Sequence, residues 1–238
     1  MKKLFLIAFL LLVTVCFVAC GENDRTDNEE NLIKELRECY VGNTVFMGQY
    51  EQSNDRKDGL EPIKWIVIAK EEGKVLLLSQ SVLDWKPFNQ SDDITKPCSW
   101  KTSVVRDFLN GSFYETAFSD FIKSKILPST ITNIIDFDPR NLFSDHNETT
   151  TDKVFILSEE EMYKYNLVNR DNGDSSPTNY ARGLGANGSY WLRDIGWSSY
   201  GVGWFETSYA LENTYAQIKS SGQSINLGVR PAVWINIE

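Results

Sequence analysis

The sequence predicts an α+β fold in one domain, with strands, helices and a long irregular stretch. Three observations predict it. Apolar runs of strand length, Lys64-Trp65-Ile66-Val67-Ile68-Ala69 and Val75-Leu76-Leu77-Leu78-Ser79, stand apart from segments whose apolar residues recur at helical spacing. A stretch rich in Gly, Asn, Asp and Ser runs from Asn169 to Ser189 and reads as a long irregular loop. The chain beyond residue 31 is roughly 207 residues long, the size of one domain or at most two small ones.

The first element is a leader. Met1-Lys2-Lys3 is followed by an uncharged apolar run from Leu4 to Val18, broken only by Thr14. That run is shorter than the roughly 20 residues a spanning helix needs, and the charged start with an apolar middle is the pattern of an export signal. It ends in Phe17-Val18-Ala19-Cys20-Gly21, a small residue directly before a cysteine, which resembles a lipobox. The resemblance implies cleavage after residue 19 and lipidation of Cys20. Residues 20–31 then form an acidic tether, because Gly21 to Asn31 hold no apolar side chain with which to offset the entropy of ordering. Two or three acyl chains anchor a protein stably where one does not. Residues 32–238 are the expected extracytoplasmic globular domain.

Within that domain Leu32, Ile33 and Leu36 mark a short amphipathic helix, and Thr44 to Tyr50 a strand. The two apolar runs named above flank Lys70-Glu71-Glu72-Gly73-Lys74 and predict a hairpin with a glycine-containing turn. Val104, Val105, Phe108 and Leu109, continued by Phe113, Phe118, Phe121, Ile122 and Ile126, predict two helices broken at Asn110-Gly111 and stopped by Pro128. Asp152 to Leu157 reads as a strand. Ser158-Glu159-Glu160-Glu161 is a capping-box pattern that starts a helix reaching about Tyr165. Strand-like pieces follow near Tyr190–Asp194, Gly203–Tyr209 and Leu227–Ile237.

Composition excludes some functions. Loss of Lys2 and Lys3 with the leader takes the net charge from −9 to −11, and no basic cluster offers the lysines and arginines that neutralise phosphates, so nucleic acid is not a partner. The lone histidine, His146, sits in a polar loop, so a three-histidine metal site is impossible and no metal or other cofactor is expected. Asp136 and Asp138 lie at alternate positions and share a face if extended, but a solvated role suits them better than a glycosidase pair. With Cys16 in the leader and Cys20 lipidated, Cys39 and Cys98 remain. They either form one disulfide, worth roughly 4 kcal/mol for a loop of about 60 residues, or stay as two buried thiols.

Several phrases resemble a known family. Trp100 to Asn110 with Arg106, Asp152 to Ser158, Trp191-Leu192-Arg193 and Gly228-Val229-Arg230-Pro231-Ala232-Val233-Trp234-Ile235-Asn236 are similar to the bacterial domain family of unknown function numbered 6273. Gly48-Gln49-Tyr50 and Glu61-Pro62-Ile63-Lys64-Trp65 fit its opening, so the resemblance covers about residues 40–237. More remotely, the chain is similar to the C-type-lectin-like fold in its formylglycine-generating-enzyme branch, which implies a twisted mixed or antiparallel sheet with flanking helices and much irregular structure. That branch's copper-cysteine site near the chain's end is absent here, as are the calcium-lectin signatures.

The arginines in these motifs have two readings. They lock the loop-rich half by pairing with carboxylates and stacking on tryptophan, or they face a ligand. Arg106, Arg230 and Trp234 are taken as structural. Trp191, Arg193, Trp197, Tyr200 and Trp204 are the candidate ligand-binding residues, because rigid rings interleaved with Gly196, Gly201 and Gly203 suit a recognition surface. The expected function is therefore a noncatalytic, membrane-anchored surface lipoprotein that binds a glycan, a cell-wall polymer or a protein. A structural role in an envelope complex is the second expectation, and an uncharacterised hydrolase or oxidase the third.

Overall fold

Glu72-Gly73 makes a two-residue turn joining β2 (Glu61–Glu71) to β3 (Lys74–Ser79) in the hairpin expected there. Gly73 takes a φ of 74°, which a glycine adopts without a Cβ penalty. The hairpin is the middle of a five-stranded sheet in a computed structural model that describes residues 28–55, 57–89, 99–134, 147–168, 176–195, 201–207, 216–222 and 225–238. The sheet runs β1 (Thr44–Tyr50), β2, β3, β12 (Ala232–Asn236), β5 (Ile126–Leu127). A second sheet runs β10 (Ala216–Gly222), β9 (Gly201–Thr207), β8 (Tyr190–Ile195), β11 (Asn226–Val229), β4 (Asp84–Pro87). A separate hairpin pairs β6 (Ser129–Ile134) with β7 (Asn147–Asp152). All of these pairings are antiparallel except β11 with β8, so the fold is α+β with mainly antiparallel sheets. One apolar core runs from Leu32 to Ile237 and includes Trp65, Trp100, Trp191 and Phe155.

The two sheets are stitched by neighbouring crossings. The chain leaves β3 for β4 at Gln80 to Leu83, and it leaves β11 for β12 at Arg230-Pro231, so the single strand expected over Leu227–Ile237 is two. Pro231 has no N–H to give a ladder. Arg230 is 2 % exposed and ties the crossings together: its Nε donates to Ser79 O at 2.8 Å and its Nη1 to Tyr190 Oη at 3.1 Å. Gly228 is required beside it, since a Cβ there would lie 2.5 Å from Ser189 O and 2.6 Å from a Val82 methyl.

Helices cover the sheets. Helix α1 occupies residues 28–38, so the expected tether is shortened: residues 28–31 are helical. Glu29 accepts a hydrogen bond from Ser119 Oγ at 2.5 Å, which draws this polar turn onto the domain. The predicted break at Asn110-Gly111 becomes a π-helical turn, Leu109–Phe113, between α2 (Val104–Phe108) and α3 (Tyr114–Ala117), with Gly111 outside helical geometry. Helix α4 (Asp120–Lys125) ends before Pro128.

Two further expectations need correcting. The strand expected at Asp152–Leu157 is not a ladder strand, because β7 ends at Asp152 and the next residues find other partners. Asn110 takes the backbone groups of Lys153 and Val154, Phe155 exchanges two hydrogen bonds with Ala232, and Arg193 takes Ile156 O. The long loop expected from Asn169 to Ser189 contains α6 (Asn179–Leu184), capped by the Thr178 hydroxyl and closed by Gly185 at a φ of 118°. Helix α5 (Glu159–Lys164) carries the capping box read from the sequence, with Tyr165 at its C-terminal cap.

Candidate functional site

Where β1 ends and β4 begins, the two sheets bring a carboxylate, a phenol and an ammonium together. Leu83 N bonds to Val229 O and sets β4 against β11, with Asp84 opposite Val229 and Lys86 opposite Leu227. Side chains alternate along a strand, so Asp84 and Lys86 share a face, and their charged groups are 3.3 Å apart. Asp84 is 2 % exposed. It accepts the Tyr50 hydroxyl at 2.5 Å and its own neighbour's amide, Trp85 N, at 2.7 Å.

Aromatic rings surround this polar centre. Tyr50 meets Phe113 at 5.2 Å, Tyr180 of α6 at 6.1 Å and Phe108 of α2 at 6.5 Å between ring centroids. Phe113 is the buried floor, whereas Tyr50, Phe108 and Tyr180 are only half-buried. Lys86 Nζ sits 4.2 Å from the Phe108 ring centre, a cation-π contact. The Tyr50 phenol is pushed well above its usual value, first by burial and then by the negative charge of Asp84. It therefore stays protonated and acts as a hydrogen-bond donor, not as a base or nucleophile. The arrangement presents half-open rings beside the Lys86 ammonium, which the buried Asp84 carboxylate holds in place.

The residues singled out by sequence are distributed differently. Trp191 is fully buried, with its Nε1 donating to Lys86 O at 2.8 Å, so it is a core residue that anchors β4 and not a ligand-facing ring. Arg193 is corrected likewise. At 7 % exposure its guanidinium faces inward, pairing with Glu161 and Ile156 O, because β8 is covered on that side by α5. Trp204 lies on β9, while Trp197 and Tyr200 lie outside the described residues. Arg106 Nε bonds to Asp152 at 2.6 Å, and Trp234 is half-buried beneath Lys74 Nζ at 4.4 Å.

Cys39 is a free, buried thiol donating to Leu36 O, and burial pushes it up from its ordinary value. Cys98, His146, Asp136, Asp138 and Cys20 lie outside the described residues. Among the described residues, no three of His, Cys, Asp and Glu are placed to hold a metal ion, and no helix is long and apolar enough to cross a membrane.

Sequence reasoning missed Asp84, Lys86, Phe108 as a platform ring, and Tyr180. One signal was available: Asp84 interrupts the apolar run Val82-Leu83 and Trp85, and an acid inside such a run is buried only with partners.

A model of one protein family, described as Domain of unknown function (DUF6273), matches residues 72–237. The match bears out the resemblance over that span, and the opening phrases Gly48-Gln49-Tyr50 and Glu61 to Trp65 lie ahead of it. No curated protein and no solved structure matches the chain.

Proposed function

The chain belongs to that family, and from this premise we propose that it is a noncatalytic, lipid-anchored surface protein whose domain binds a glycan or cell-wall polymer through the Tyr50, Phe108 and Tyr180 platform. The single observation that carries the reading is the set of half-open rings around the hydrogen-bonded Asp84 and Lys86 pair. A sugar ring has an apolar face of C–H groups and a rim of hydroxyls. Aromatic side chains cover the first at low entropy cost, and the Lys86 ammonium, held in place by the buried Asp84 carboxylate, meets the second. The protonated state of Tyr50 supports binding over a role as general base or nucleophile.

Lipid anchoring at Cys20 rests on the leader pattern, and it places the domain on the extracytoplasmic side of a membrane. A C-type-lectin-like fold is part of the same proposal, supported by the Trp191-Leu192-Arg193 and Gly228-Val229-Arg230 segments.

The experiment is a sedimentation assay of the purified full chain with insoluble peptidoglycan and other cell-wall polysaccharides, comparing wild type with Tyr180→Ala and Lys86→Ala. Retention of wild type and loss in both variants is the expected outcome. Equal sedimentation of all three proteins, or none by wild type, removes the proposal.

A further inference from the structure

We propose that the open edge of β1 receives an extended, lysine- or arginine-bearing peptide from another protein as an added strand, with one of its side chains in the cavity alongside. This does not depend on the glycan reading, since β1 meets the platform only at its far end, Tyr50.

Sheet edges invite pairing, and proteins normally blunt them with short strands, prolines or charges. The two five-stranded sheets have four edges. Strand β5 is two residues long and runs into Pro128, β4 carries Lys86 and ends at Pro87, and β10 carries Lys219. Strand β1 reads Thr-Val-Phe-Met-Gly-Gln-Tyr, with no charge and no proline. Among the described residues it is the one of the four left without such a device.

The register says which groups are open. Val67 N donates to Asn43 O at 2.9 Å, so Asn43 faces β2. In an antiparallel pair alternate residues face alike, so Val45 also faces β2, while Thr44 and Phe46 turn their N–H and C=O groups outward. The opening is bounded. At Gly48 the strand bulges with a φ of 67°, and a Cβ there would stand 2.5 Å from Ala117 O, so α3 closes the edge beyond Met47. Phe46 is 61 % exposed at the open part.

A cavity of about 710 Å³ lies beside this edge, between the start of α1, β1 and the α3 to α4 corner. Leu32, Met47 and Phe118 supply apolar wall, and Glu29, Gln49 and Ser119 polar wall. Main-chain bonds to Thr44 and Phe46 would supply affinity, and the cavity the side-chain preference, as in strand addition generally. Charge selects the occupant. Glu29 stands in the wall and the chain carries −9, so a second copy or an acidic partner is repelled and a basic one attracted.

The test uses the full chain in detergent and three fluorescent seven-residue peptides: alternating valine and lysine, alternating valine and glutamate, and the lysine peptide with a central proline. Thr44→Pro removes only an outward N–H, and Glu29→Lys inverts the wall charge. The lysine peptide should bind saturably, at least tenfold tighter than the other two, and each variant should weaken it at least tenfold. Should Thr44→Pro fail to fold, hydrogen exchange on wild type decides, with the Thr44 and Phe46 amides slowed by the peptide. Binding that ignores proline or charge, no binding, unchanged exchange at both amides, or a dimer of the chain itself would overturn the proposal.

Discussion

Asp84 and Asp152 are two buried carboxylates with similar company and different fates. Each has a cation within 3.3 Å and a hydroxyl donor. At Asp152 the donors are inside: Trp100 Nε1 at 2.8 Å and Thr150 Oγ1 at 2.6 Å belong to buried residues, and Arg106 closes the set. At Asp84 the donor is the half-buried Tyr50, and Lys86 lies against Phe108 at the surface. The difference teaches that a buried acid alone does not mark a site. What marks one is whether the groups it fixes still face outward.

The comparison breaks most readily at Asp152. Its replacement by Ala strands two buried donors and a guanidinium, and should cost about 3–5 kcal/mol in urea denaturation, the range for breaking a buried ion pair. Asp84→Ala should cost less, about 1–3 kcal/mol, because Lys86 can reach water. Equal losses would erase the contrast.

Asp194 sharpens it as a third case, where burial outweighs the partners. Its carboxyl is raised from 3.8 to about 6, chiefly by burial, against the lowering effect of the Glu159 amide and of Arg193. A carboxyl raised in the folded state holds its proton more tightly there than in the unfolded chain. The stability it contributes is therefore full below about pH 4 and is lost as pH rises to about 6. At 1.36 kcal/mol per unit the loss is about 3 kcal/mol at most. Asp194→Asn should remove this component, seen as a difference between the two stability curves over that window. Identical curves would count against it.

An effect comparable to that of Asp84→Ala is expected from Tyr50→Phe, which deletes one hydrogen bond to a charged acceptor, about 1.5–3 kcal/mol in the same denaturation experiment. It should leave the rings in place.

How much of this was legible in the sequence follows from how local each signal is. The Gly73 hairpin and the Ser158 capping box are written within a few residues, and both stand where expected. Helix α6 was hidden because its cues, Thr178 before and Gly185 after, sit in a polar stretch that composition alone reads as loop. The burial of Trp191 and Arg193 was not legible, since it depends on Lys86 and Glu161, at least 32 positions away in the chain. The platform has the same character: Tyr50, Asp84, Phe108 and Tyr180 come from four elements, and no spacing rule links them.

The central claim is that the rings around Asp84 bind a sugar. Calorimetric titration of the full chain with a soluble cell-wall oligosaccharide, in parallel for wild type and Tyr180→Ala, tests it most directly. The account predicts about a tenfold weaker Kd in the variant, ~1.4 kcal/mol, with the variant still folded at the titration temperature by circular dichroism. Equal affinity in the two proteins would contradict it.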